Sequence, residues 1–73
     1  MPVKVTWPAT KAKRVLAALQ RIGWRIARTS GSHRTLKRDG WPQYRFAFHD
    51  SEELGHVMPS EIASHTGLRP SDL

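Results

Sequence analysis

Apolar side chains at Ala12, Val15, Leu16, Leu19 and Ile22 recur at the three- and four-residue spacing of one helical face, which predicts a helix over Lys11–Ile22. Thr10 stands where an N-cap belongs and Gly23 where a C-terminal stop belongs. The opposite face is polar and mostly basic, with Lys11, Lys13, Arg14, Gln20 and Arg21. After Gly23 the period drops to two. Trp24, Ile26 and Arg28 alternate with Arg25, Ala27 and Thr29, a strand whose Trp24 and Ile26 are expected to cover the helix. Ser30-Gly31-Ser32 reads as a turn into a second strand, His33–Arg38. There Leu36 marks the inward face with Arg34 and Arg38, so His33, Thr35 and Lys37 face away from the helix. Asp39-Gly40 signals a hairpin that Trp41-Pro42 lengthens, and a third strand, Gln43–His49, sets Tyr44, Phe46 and Phe48 on the core face.

Residues 49–57 form a polar, acidic loop pivoting at Gly55. A second, short helix runs from Met58 to His65 or Thr66, with Pro59 fitting the first helical position, Ile62 and Ala63 inward and Gly67 as its stop. Leu68 packs, and residues 69–73 form a tail. At the other end, Pro2 and Pro8 with alternating Val3, Val5 and Trp7 read as an extended lead-in over residues 1–9, Trp7 packing back on the domain. The expected fold is α+β in the order α-β-β-β-α, one domain over residues 1–73, with a three-stranded antiparallel sheet and both helices on one face.

Charge sharpens this pattern. Twelve Lys and Arg stand against six Asp and Glu, a net charge of +6. All but one of the cations fall in residues 1–49 with a single acid, Asp39, whereas Asp50, Glu52, Glu53, Glu61 and Asp72 lie beyond, against Arg69 alone. The first part therefore reads as a polyanion-binding surface and the second as one that avoids polyanions or faces a basic partner. The chain has no cysteine, hence no disulfide framework and no thiolate metal site. His49, His56 and His65 match no compact ligand spacing, so no metal and no cofactor is expected. Nor does any apolar run approach the about 20 residues that span a bilayer. No signal-like hydrophobic segment opens the chain, and no membrane association is expected; a cytoplasmic location is.

Candidate chemistry gathers at Thr29–Arg38. Gly31 and Ser32 make the turn, His33 begins the strand after it, and Arg28, Arg34, Lys37 and Arg38 lie close by in sequence. Histidine can move a proton near neutral pH. RNA brings its own nucleophile, the 2′-hydroxyl beside the scissile phosphate, so its cleavage needs only a base, charge stabilisation and alignment of the strand. His33 is the candidate base, and Arg25, Arg28, Arg34, Lys37 and Arg38 are candidate RNA contacts, depending on the face each occupies. The same residues also suit a hairpin in which His33 merely closes a turn or touches phosphate.

An amphipathic helix ending in Gly23-Trp24, a strand carrying Arg28, then Gly31-Ser32-His33, an aromatic strand and a terminal helix ending in Gly67-Leu68 resemble the HicA toxin family of bacterial type II toxin–antitoxin systems, over about residues 8–73. The resemblance implies a double-stranded-RNA-binding-domain-like (dsRBD-like) fold and a metal-independent mRNA interferase acting on single-stranded mRNA. It also implies a HicB-like antitoxin that covers the active histidine. The family's catalytic histidine falls on His33 and its motif glycine on Gly31. Here Arg34-Thr35-Leu36 follows the histidine, where relatives commonly carry a second histidine or small polar residue and then an aromatic. The terminal helix Pro59–His65 lacks the lysines typical there, which argues against ordinary double-stranded-RNA binding. Two other functions share the fold: a non-catalytic RNA-binding module, and a degenerate toxin kept for protein–protein contact through the acidic loop.

Overall fold

The computed structural model describes residues 7–55 and 58–73. In chain order these form β1 (Thr10–Lys11), α1 (Ala12–Arg21), β2 (Arg25–Ser30), β3 (His33–Lys37), β4 (Tyr44–Ala47), β5 (Glu53–Leu54) and α2 (Met58–Thr66), then a 3-10 turn at Pro70–Asp72. The antiparallel sheet has the order β2-β3-β4, and the two-residue β1 and β5 pair separately. Two helices and a three-stranded antiparallel sheet make the fold α+β, as expected from the alternation of periods. The core is one cluster in which Val15, Ala18 and Leu19 of α1 meet Trp24, Leu36, Phe46 and Ile62. Trp7 is buried in the same cluster; the rest of the expected lead-in, residues 1–6, lies outside the described residues. Tyr44 and Phe48 pack on the cluster's margin, so the aromatic triplet of β4 and its extension is core.

The helix ends are built differently from the sequence reading. Thr10 does not cap α1; it pairs with Leu54, and Lys11 occupies the cap position with no side-chain bond. The acidic loop does the capping instead. The Ala12 N–H donates to the Glu52 carbonyl at 2.8 Å and the Lys13 N–H to the Asp50 carbonyl at 3.1 Å, satisfying two of the donors that a helix start leaves open. At the other end the Trp24 N–H reaches the Leu19 carbonyl and the Gly23 N–H the Gln20 carbonyl, a Schellman closure with Gly23 at φ 111°. That closure aims Trp24 into the core. Its indole N–H donates to the buried Thr66 carbonyl at 3.1 Å, tying the start of β2 to the end of α2.

Gly67 follows α2 at φ 75°, and a Cβ there would stand 2.8 Å from Cη2 of Trp41. The lengthened hairpin therefore folds its tryptophan down onto the C-terminus of α2. Trp41 also meets Trp24 edge to face, with ring centroids 6.0 Å apart, and carries the Arg38 guanidinium 5.2 Å from its ring centroid.

Candidate active site

Strand pairing assigns each side chain of the sheet to a face, because directly opposed residues in antiparallel strands point the same way. Ile26, Leu36 and Tyr44 form one row, and Thr29, Arg34 and Phe46 another; since Leu36 and Phe46 are fully buried, this is the inner face. The outer face then carries three rungs. Ser30, His33 and Ala47 make the first, Arg28, Thr35 and Arg45 the second, and Arg25 with Lys37 the third. Successive rungs are two residues apart, about 6.6 Å along the strands.

An irregularity in β2 makes this arrangement. Strict alternation would put Arg28 beside Ile26 on the inner face, as the sequence pattern suggests. The register instead shifts between Ile26 and Arg28, so that Ala27 is the extra residue of a bulge and Arg28 stands opposite Thr35 on the outer face. Ile26 stays on the inner face but is 38 % exposed rather than buried against the helix, because β2 is an edge strand. At the head of the first rung Gly31 has φ 61° while Ser32 has no positive φ, the sign pattern of a two-residue type II′ turn. The turn joins Ser30 to His33 as direct partners.

A depression of about 230 Å³ is lined by Arg28, Ser30, His33, Thr35 and Arg45. His33 thus sits beside two guanidinium groups and two hydroxyls. The candidate cations separate according to what else they touch. Arg34 lies on the inner face with its Nη1 3.0 Å from Asp50 Oδ1, an ion pair with no directed hydrogen bond at that nitrogen. Arg38 lies over Trp41, and Arg25 sits 3.6 Å from Asp39 in an exposed pair. The side chains of Arg28, Lys37, Arg45 and His33, by contrast, have no hydrogen bond, ion pair or ring contact among the described residues. The structure brings together His33, Arg28 and Lys37 on one face, with Arg25 at its edge, and sets Arg34 and Arg38 apart. Arg45, Thr35 and Ser30 belong to the site although the sequence did not single them out. The signal for Arg45 was its alternation with Tyr44 and Phe46, which alone places it outward.

Asp50 ties the inner face of the sheet to the start of α1. Its carbonyl caps α1 and its carboxylate holds Arg34, the residue next to His33. Elsewhere Tyr44 stacks on His65, ring centroids 5.6 Å apart, and burial, followed by the charge of Glu61, pushes its phenol above the ordinary tyrosine range.

Fold and site together define a small α+β domain that displays one histidine on a cationic sheet face. The family model described as HicA toxin of bacterial toxin-antitoxin matches residues 12–68, and the chain belongs to that family. It is thereby a toxin-type component of a two-part system whose other part is an antitoxin. No curated protein and no solved structure matches the chain significantly. Among the described residues no helix is long and apolar enough to cross a membrane.

Proposed function

We propose that the chain is an endoribonuclease that cleaves single-stranded mRNA on the outer face of the sheet, with His33 as general base. The observation that carries this reading is the contrast in engagement: Arg28, Lys37, Arg45 and His33 share one face and have no partner among the described residues, while Arg25, Arg34 and Arg38 do. Membership of a family of toxins supports nuclease action on mRNA. His33 takes the proton of the 2′-hydroxyl, and the 2′-oxygen attacks phosphorus. The bond to the 5′-oxygen breaks, and water returns a proton to that leaving oxygen, giving a 2′,3′-cyclic phosphate and a 5′-hydroxyl. Arg28 and Arg45 stabilise the charge that grows on the non-bridging oxygens. The protein needs to supply neither a nucleophile nor a metal for this route. Neutralisation by a HicB-like antitoxin in the cytoplasm follows if the antitoxin covers the same face.

The test is incubation of wild type and His33→Ala with a defined single-stranded RNA in EDTA, with analysis of fragment ends. Fragments bearing 5′-hydroxyls from wild type alone are expected. Intact RNA in both, with binding retained, would make the chain a non-catalytic RNA-binding module.

A further inference from the structure

The outer face holds a second depression, of about 350 Å³, lined by Ala27, Arg28, Thr35, Lys37, Gln43 and Arg45. It shares Arg28, Thr35 and Arg45 with the first. The middle rung is therefore a divide, with the histidine on one side and an amide and an ammonium on the other. We propose that the second depression is the subsite for a nucleotide next to the scissile phosphate, and that Gln43 selects the base held there. This rests on the reading of His33 as the centre of RNA cleavage.

A guanidinium at each end of the rung and a hydroxyl between them suit a phosphate lying across the divide. A strand held by that phosphate has a nucleotide in each depression. Beyond the rung the lining changes from a proton-moving group to Gln43, whose carboxamide offers an acceptor and two donors in one plane, the pairing that matches a base edge. Gln43 is exposed and its amide has no partner among the described residues. Lys37, beside it, is placed to take the next phosphate as a point charge. Stacking does not choose between bases on this face: Tyr44 and Phe46 point inward, and the planes left outward, His33 and the arginines Arg28 and Arg45, stack on any base alike. Hydrogen bonding to a base edge is the remaining means of choice, and Gln43 is the side chain equipped for it.

The test uses short single-stranded RNAs that differ in one base and carry a 2′-O-methyl group at every position, which blocks cleavage and leaves binding measurable. Their affinities for wild type and for Gln43→Ala and Gln43→Glu are compared, in parallel with mapping of cut sites in an unmodified randomised RNA. Wild type is expected to favour one base at one flanking position by about tenfold, the order of a single bidentate contact. Gln43→Ala flattens that ratio and Gln43→Glu, which can only accept, moves the preference toward a base with donors on the edge it presents, such as the adjacent N1–H and N2–H₂ of guanine. A wild-type preference unchanged in both variants, or equal affinity for all four bases in wild type, overturns the subsite even if cleavage proceeds. Conversely, a Gln43-dependent preference in binding without any cleavage of unmodified RNA upholds the subsite and removes the catalytic reading alone.

Discussion

The two faces of the three-stranded sheet are made by the same three strands and differ in almost every physical respect. Inward, Leu36 and Phe46 are wholly buried, and the charged residue among them, Arg34, is held by Asp50. Outward, every residue larger than alanine is polar or charged, and Arg28, Lys37, Arg45 and His33 are left without partners among the described residues. A domain this small gains little stability from leaving cations together and unpaired, since like charges repel across neighbouring strands. The inner face is accounted for by folding. The outer face asks for a ligand with the opposite charge.

Substitutions on the two faces should therefore separate activity from stability. The largest expected effect is on the outer face. His33→Ala should slow RNA cleavage by about 10²–10⁴-fold, roughly 3–5 kcal/mol of transition-state stabilisation, without lowering the thermal midpoint. A comparable energy on the inner face goes into the fold: Phe46→Ala should cost about 3–5 kcal/mol in urea unfolding, enough to leave much of a marginal domain unfolded. Next comes Gly67→Ala, where a Cβ would meet Trp41 at 2.8 Å on a backbone at φ 75°. We expect a destabilisation of about 1–3 kcal/mol, seen as altered tryptophan fluorescence and a lower midpoint.

Smaller differences sharpen the contrast further. Arg28→Ala and Arg45→Ala should each reduce the steepness with which RNA affinity falls with salt, by about 0.7 in the logarithmic slope for each phosphate no longer neutralised. Arg34→Ala should leave that slope unchanged and lower stability by no more than about 1 kcal/mol, because its pair with Asp50 is partly exposed. The smallest effect is alkaline. The Tyr44 phenol is raised in the folded state by burial and then by Glu61, so the unfolded chain loses that proton first. Stability from this group is complete below the ordinary tyrosine pKa and falls as pH climbs from there through the folded value. Tyr44→Phe should remove that part of the alkaline decline, as read by denaturation at a series of high pH values.

Much of this was legible in the residue pattern because periodicity carries it. The helical spacing from Ala12 to Ile22, the inward Leu36, the aromatic triplet and the stops at Gly23 and Gly67 all follow from one-dimensional spacing. What escaped depends on partners far away in the chain. Thr10 looks like an N-cap, but the carbonyls of Asp50 and Glu52 reach the helix start first, and no local rule announces a cap supplied from so distant a loop. The bulge at Ala27 was invisible for a similar reason, since a register shift is a property of two strands. It changed the face of Arg28 and with it the composition of the site. In the residue pattern Arg34 and Arg38 share the inner face with Arg28; the bulge takes Arg28 outward, while Asp50 and Trp41 engage the other two. The acidic loop, read as part of a surface that avoids polyanions or faces a basic partner, has a structural share in capping α1 and holding Arg34.

The most direct test of the outer face as the functional surface is amide chemical-shift mapping of the labelled protein against a short single-stranded RNA that carries a 2′-O-methyl group at each position, which blocks cleavage. The chain has a rival cationic surface in the exposed Lys11, Lys13 and Arg14 at the start of α1, which makes the comparison decisive. Shifts concentrated on Arg28, Ser30, His33, Thr35, Lys37 and Arg45, and abolished by added salt, are expected. Shifts confined to Lys11–Arg14, with the sheet unperturbed, would contradict the assignment of function to this face.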